Sequence, residues 1–211
     1  MSKQIRLSAA FGFLVLLTSC GPTHQTRTYT APSIGTKMIS SLAILPVRNA
    51  PIAQSESIQM NRELTQAVQR KNPTLSILGP VEAVERLNEQ NLVEDYDRYI
   101  VGLAQSGIPN KAILARIGAA LGVDAIMQGQ ILGLAQQDGG WGGRYPSTTF
   151  SLRYSIVSTG DGLVLWEIVE EIRKTRSAGI SAPSLQKVLP DAIQVVIQRI
   201  PVFTFVSKPS K

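Results

Sequence analysis

The chain has 211 residues, a formal net charge of +6 from 21 basic and 15 acidic side chains, and a hydrophobic fraction of 44%. This length fits one domain with a well-filled core, and the hydrophobic fraction argues against global disorder. With one cysteine and one histidine, the chain has no intramolecular disulfide framework, cysteine-based zinc cage or multi-histidine metal site. Catalysis of the Ser-His or Cys-His kind needs a positioned histidine base, and a single histidine leaves few such arrangements possible.

Residues 1–19 have the parts of a secretory signal peptide. Lys3 and Arg6 precede an unbroken apolar run over residues 9–17, and small residues follow it. A permanent transmembrane helix needs about 20 apolar residues, so this run is too short to be one. A basic start, an apolar middle and a small-residue end are typical of an exported precursor.

The end of this segment, Leu17-Thr18-Ser19-Cys20, resembles the lipobox of bacterial lipoproteins. In that family the precursor is cleaved before the cysteine, which is then acylated on its sulfur and on its amino group. The resemblance implies that Cys20 is the lipidated first residue of the mature chain. Residue 21 is Gly rather than Asp, which by resemblance to lipoprotein sorting in Gram-negative bacteria implies the outer membrane, with the domain facing the periplasm. The alternative is an ordinary secretory signal with an incidental cysteine.

Residues 20–40 are predicted to be the lipidated cysteine and a flexible tether. The segment is rich in Thr, Ser, Gly and Pro and has only scattered apolar residues. As coil, such a segment spans about 25 Å root mean square and at most about 70 Å when extended. The only histidine, His24, lies in it, and we interpret His24 as a solvated linker residue.

From residue 41 onwards, apolar runs and helical periodicity alternate. In chain order they predict a strand at 41–47, a helix at 56–71, a strand at 74–78, helices at 81–90, 92–105 and 111–121, strands at 124–134, 148–157 and 163–173, and a helix at 184–199. In the strand at 148–157, Phe150, Leu152, Tyr154 and Ile156 are expected to share one face, and in the next strand Val164, Trp166 and Ile168. Pro190 is expected to kink or split the last helix.

The order β-α-β-α-α-α-β-β-β-α predicts an α/β fold (an α+β mixed sheet) in which a C-terminal β-meander is followed by a helix. A single domain over residues 41–206 accounts for the pattern, and residues 207–211 are predicted to be a tail. Gly122 is expected to end a helix, and Gly129 to mark a strand position where another group packs closely.

Three segments carry a resemblance to a known superfamily: LAILPV at 42–47, IGAALGVDAIMQGQ at 117–130 and TGDGLVLWE at 159–167. In this order they resemble envelope proteins that include the curli-exporter lipoprotein, the outer-membrane lipoproteins that activate penicillin-binding proteins, and the amino-terminal domain of the translocation protein TolB. The resemblance spans roughly residues 41–200. It implies a fold and a location in the envelope, and it transfers no catalytic residue.

The leading hypothesis is therefore a non-catalytic outer-membrane lipoprotein whose domain binds an envelope protein of unknown identity, with no cofactor, metal or nucleic acid. The alternative is an oligomeric secretion or pore component of the curli-exporter type, and a homo-oligomer is left open. A minor alternative is a carboxylate-based envelope hydrolase. Six carboxylates occur in the strand-rich region: Asp124, Asp138, Asp161, Glu167, Glu170 and Glu171.

The loop at 136–147, QQDGGWGGRYPS, is the candidate partner-binding site. Its four glycines predict mobility. Trp141, Arg144 and Tyr145 are residue types that anchor protein interfaces. The alternative is a plain hairpin connection whose tryptophan folds back on the sheet.

Overall fold

The computed structural model describes residues 21–47, 52–140, 145–177 and 179–203. The strands are β1 (Thr23–Thr30), β2 (Ser41–Ile44), β3 (Ser76–Leu78), β4 (Ala125–Gln137), β5 (Ser147–Ser158) and β6 (Val164–Thr175). The helices are α1 (Gln54–Lys71), α2 (Pro80–Glu89), α3 (Val93–Ser106), α4 (Lys111–Leu121) and α5 (Leu189–Arg199). The predicted α/β fold is confirmed, and β1 is an additional strand ahead of the predicted elements.

The six strands form one mixed sheet in the order β1-β6-β5-β4-β2-β3. The short strand β2 pairs parallel with β3 and with β4. The long strands β4, β5 and β6 form the predicted meander, and β1 adds antiparallel to β6. Because β4 to β6 are 12 to 13 residues long while β2 and β3 have four and three, the meander extends well beyond the parallel part of the sheet.

The helix ends follow local sequence rules. The side chain of Asn110 accepts hydrogen bonds from the N–H groups of Ala112 and Ile113 at the start of α4. Gly122 ends that helix at a φ of 68°, as predicted. The predicted helix at 184–199 is split, as one of the two expectations for Pro190 had it, into a 3-10 turn at Leu185–Lys187 and α5. Pro190 lies in the first turn of α5, where a missing N–H costs no helical hydrogen bond, so the helix has no kink there.

Two apolar clusters cover the two faces of the sheet. On one face, α1 and α5 pack on residues such as Ile156 and Trp166, which are 0% and 1% exposed. On the other face, α2, α3 and α4 pack on residues such as Ala43, Ile126 and Val157. The predicted inward face of β5 is confirmed, since all four of its residues are at most 1% exposed: Phe150, Leu152, Tyr154 and Ile156.

The prediction that Val164 shares a face with Trp166 and Ile168 is wrong. Val164 packs against the second cluster, whereas Trp166 and Ile168 belong to the first. The register between β5 and β6 shifts between Ile156 and Val157, which leaves Leu165 as an extra residue on β6 and places Val164 on the other face from Trp166.

Gly129 is required by a close contact, as predicted. A Cβ atom at this position would lie 2.4 Å from Cε1 of the Tyr154 ring on the neighbouring strand. The ring of Tyr154 therefore lies over the glycine, which fixes the large aromatic side chain in the first cluster.

Candidate functional site at the anchor end of the sheet

The described part of residues 20–40 is structured, so the predicted flexible tether is wrong there. β1 pairs with β6 along its whole length, from Thr23 opposite Arg173 to Thr30 opposite Trp166. Ala31 extends the contact by donating its N–H to the Leu165 carbonyl at 2.9 Å. Alternate backbone groups of this threonine-rich segment are thus satisfied by β6 instead of by water.

The same edge holds a buried carboxylate, one of the six considered above for a hydrolase. Glu170 on β6 is 0% exposed. His24 Nδ1 lies 2.7 Å from Glu170 Oε1, and the Thr26 hydroxyl donates to Glu170 Oε2 at 2.5 Å. His24 is therefore the partner of a buried carboxylate and not the solvated linker residue that was predicted.

This arrangement differs from the relay of a hydrolase triad. In such a triad the hydroxyl donates to the histidine, whereas the Thr26 hydroxyl donates to Glu170. Buried hydrogen bonds to a charged group stabilise a fold when every partner is in place. The contacts of His24 and Thr26 with Glu170 therefore hold β1 on the sheet.

Cys20 lies outside the described residues, yet its distance from the sheet is bounded by the chain. Three peptide steps separate Cys20 from Thr23, and they span at most about 11 Å. Since β1 runs antiparallel to β6, Thr23 lies at the end of the sheet where β6 finishes. We call this end, made of Thr23, the last residues of β6 and the β4–β5 connection, the anchor end.

The candidate partner-binding loop lies at the anchor end as well. Ser147 at the start of β5 is opposite both Gln137 and Thr175, so the β4–β5 connection extends from the same edge as the end of β6. Tyr145 is 61% exposed there. Trp141 and Arg144 lie outside the described residues.

A second segment braces this connection. The N–H of Ala182 donates to Asp138 Oδ1 at 2.8 Å, and the N–H of Gly139 donates to the Ile180 carbonyl at 2.6 Å. The buried Thr148 hydroxyl donates to the Pro183 carbonyl at 2.5 Å. Residues at both ends of the connection are therefore hydrogen-bonded to the 180–183 segment.

The six carboxylates considered for a hydrolase do not converge. Asp124 and Asp161 flank the far end of the sheet, and Asp138 follows β4 at the anchor end. Thirteen strand residues separate these ends, or about 40 Å. Glu170 faces the cluster under α5, whereas Glu167 and Glu171 alternate to the opposite face.

Two of the far-end carboxylates are held in their charged form. Burial alone would raise the pKa of Asp161, but hydrogen bonds from the Lys37 ammonium, the Ser158 side chain and the Leu163 N–H lower it to about 2. Burial alone would also raise the pKa of Asp124. Hydrogen bonds from the hydroxyl and N–H groups of Ser40 and Ser41 outweigh this effect, so the pKa of Asp124 is lowered. Both carboxylates thereby fasten the connections next to β2 and β6.

In the part of the chain that the structure describes, no group of three or more His, Cys, Asp or Glu side chains is placed to hold a metal ion. No helix formed by the described residues has both the length and the apolar character needed to span a bilayer.

No protein-family model and no curated protein matches this sequence. Solved structures of similar fold include a PelC dodecamer from Paraburkholderia phytofirmans, at 12% identity and a TM-score of 0.43, covering 83% of this chain and 95% of that one. Lipoprotein GNA1162 from Neisseria meningitidis is 16% identical with a TM-score of 0.42, covering 76% and 96% of the two chains. The LpoB C-terminal domain from Salmonella enterica is 14% identical with a TM-score of 0.33, covering 63% and 81%. The likeness concerns the fold alone.

Proposed function

We propose that this protein is a lipid-anchored, non-catalytic component of the bacterial envelope whose domain binds an envelope protein close to the membrane. The observation that carries the proposal is the short distance between Cys20 and β1. Two residues, Gly21 and Pro22, separate the lipobox cysteine from a strand that is hydrogen-bonded into the sheet. A lipid on Cys20 would hold the anchor end within about 11 Å of its attachment point, where a coil tether would allow up to about 70 Å.

The resemblance of the leader to a lipobox supports the anchor itself. One acyl chain binds a membrane only reversibly, whereas several chains on one residue give stable anchoring, at roughly 0.8 kcal/mol per buried CH₂. Gly21 after the cysteine supports the outer membrane, with the domain in the periplasm. The partner must then be accessible at the membrane surface.

The position of the β4–β5 connection supports a partner contact through Trp141, Arg144 and Tyr145. The connection extends from the anchor end. Its Tyr145 side chain is 61% exposed, and tyrosine is a residue type that often anchors protein interfaces. Its flanks are hydrogen-bonded to the 176–183 segment, which limits the conformational entropy that binding would cost.

The alternative of a secretion or pore component is less well supported. Within the described sheet, β4 is hydrogen-bonded to β2 and β5, and β5 to β4 and β6. β5 is therefore paired on both sides along its length, whereas β4 pairs with β2 only over Ala125–Met127 and has no described strand neighbour on that side beyond Met127. Accessory binding remains the proposal.

The anchor is tested with Cys20→Ala in cells. We expect the wild-type chain to fractionate with the outer membrane and to stay there in high salt, and the variant to lose that behaviour. A Cys20→Ala chain that still sediments with the outer membrane in high salt would contradict the anchoring.

The partner contact is tested by crosslinking in cells, followed by isolation of the captured protein. Trp141→Ala and Tyr145→Ala should lower capture about tenfold or more, as expected for hot-spot side chains. Tyr29→Ala is the matched control, because Tyr29 is also an exposed tyrosine, at 52%, but lies near the end of β1 far from Cys20. Equal capture by all three variants would remove the loop from the proposal.

A further inference from the structure

A groove of about 290 Å³ lies between α1 and the start of α2, beside the edge strand β3. Ile58 on α1 and Val81 on α2 line it and are 57% and 73% exposed. Pro80 and Thr65 are among the other lining residues. Two large apolar side chains exposed in one concave feature are typical of a surface that another segment covers.

The described chain ends close to this groove. The N–H of Phe203 donates to Asn72 Oδ1 at 2.8 Å, and Asn72 Nδ2 donates to the Pro201 carbonyl at 3.2 Å. Lys71 Nζ donates to the carbonyls of Gln198 and Ile200 at 2.8 and 3.1 Å. These contacts dock residues 198–203 on the C-terminal end of α1.

The groove and this docking point share one stripe of α1. Positions 61, 65 and 72 are four and seven residues apart, so they lie nearly above one another on a helix with 100° per residue. From Asn72 the helix axis covers about 10 Å to Thr65 and about 21 Å to Ile58. The eight residues that follow Phe203 reach at most about 28 Å when extended.

We propose that the C-terminal segment 204–211, TFVSKPSK, folds back along α1 and fills the groove of its own chain. Phe205 and Val206 then cover the end of the groove near Thr65, with Pro80 and Val81 as the apolar counterpart. The basic residues Lys208 and Lys211 follow these two apolar residues.

The charges around the groove are mixed. Arg62 lines the groove and Glu82 pairs with Arg86, whereas Glu85 is exposed one helical turn after Val81. A lysine that passes Glu85 gains an opposite charge at a surface site, which favours register more than affinity. The bound segment would keep an apolar surface from attracting other chains.

Disulfide trapping tests this contact in the purified full-length chain carrying Cys20→Ser, which removes the only native thiol. The pair Gln66→Cys and Val206→Cys should form an intramolecular disulfide in most molecules, because Gln66 lines the groove. The control pair is Val101→Cys and Val206→Cys, since Val101 is 54% exposed on α3, which packs on the other sheet face. Its yield should be at least fivefold lower.

Adding Phe205→Ser should lower the yield of the groove pair several-fold, because the apolar contact is lost. Val202→Ser is the matched control, at a side chain 68% exposed ahead of the segment, and should leave the yield unchanged. A groove-pair yield equal to that of the Val101 pair would overturn the proposal. A disulfide-linked dimer would also overturn it, since the segment would then fill another copy's groove. The background carries no lipid, so failure of this contact and failure of the proposed anchor are separate results.

Discussion

The described sheet ends in two edge strands that are attached by different physical means. β1 is eight residues long and mostly exposed, and it is held by backbone pairing and by the contacts of His24 and Thr26 with Glu170. β3 is three residues long and is held by Leu78, which is 7% exposed in the second cluster. The edge next to Cys20 therefore depends on a polar contact, and the opposite edge depends on apolar burial.

The apolar edge should respond most strongly to truncation. Leu78→Ala removes a buried side chain and leaves a cavity, so we expect the free energy of unfolding to fall by about 3 kcal/mol. Denaturant unfolding of the purified chain measures this. Ile108→Ala is the control, because Ile108 is 72% exposed and should change stability by less than about 0.5 kcal/mol. Equal effects of both substitutions would show that β3 is not held by burial.

The polar edge should respond to a change of charge without a change of size. Glu170→Gln keeps the side-chain volume but replaces a charged acceptor by a neutral one, so we expect a loss of about 2 kcal/mol in unfolding free energy. Glu171→Gln is the matched control, because Glu171 is exposed and lies on the opposite face of β6 from Glu170. This substitution should lower the free energy of unfolding by less than about 0.5 kcal/mol. If the two variants have the same stability, the Glu170 contacts do not hold β1.

The connection between β1 and β2 should give the smallest effect, and it should depend on pH. Lys37 in this connection pairs with Asp161, whose pKa is lowered from 3.8 to about 2. An unfolded carboxyl has its ordinary pKa, so this contribution is present above about pH 4 and is lost as the pH falls toward 2. The Asp161 side chain is 43% exposed, so solvent screening limits the contribution to less than about 1 kcal/mol.

Unfolding of Asp161→Asn at pH 6 and at pH 2.5 checks this expectation. The variant should be less stable than the wild type at pH 6 and closer to it at pH 2.5, because the wild type has lost its advantage there. Lys37→Gln should reproduce part of the loss at pH 6, since Ser158 and Leu163 still bond the carboxylate. A difference that grows at the lower pH would contradict the assigned direction.

Periodicity predicted most of the fold because most elements have an apolar face. The helix at 111–121 has its N-cap at Asn110 and its terminating Gly122, and its bounds were predicted correctly. β1 was missed because its sequence, THQTRTYT, offers no apolar stripe; its threonines and tyrosine favour strands only weakly by propensity. The bulge that turns Val164 away from Trp166 also leaves no signal in the local pattern.

The polar contact at the β1 edge required the structure for a different reason. His24 and Glu170 are 146 residues apart, and no local rule pairs them. One signal was present: Glu170 stands between Ile168 and Ile172 at an inward position of an alternating strand. An acid at such a position needs a buried partner, and the only histidine of the chain was available to provide one.

Native-state amide hydrogen exchange of Thr23–Thr30 in the purified full-length chain tests the central claim most directly, namely that β1 is a strand of the sheet and holds the chain next to Cys20 at the anchor end. The alternate β1 amides that pair with β6 should exchange at least 100-fold more slowly than unstructured peptide, and Glu170→Gln should accelerate them more than the amides of β3. Exchange of all β1 amides at the rate of unstructured peptide would contradict the account, because Cys20 would then precede a tether and not a strand.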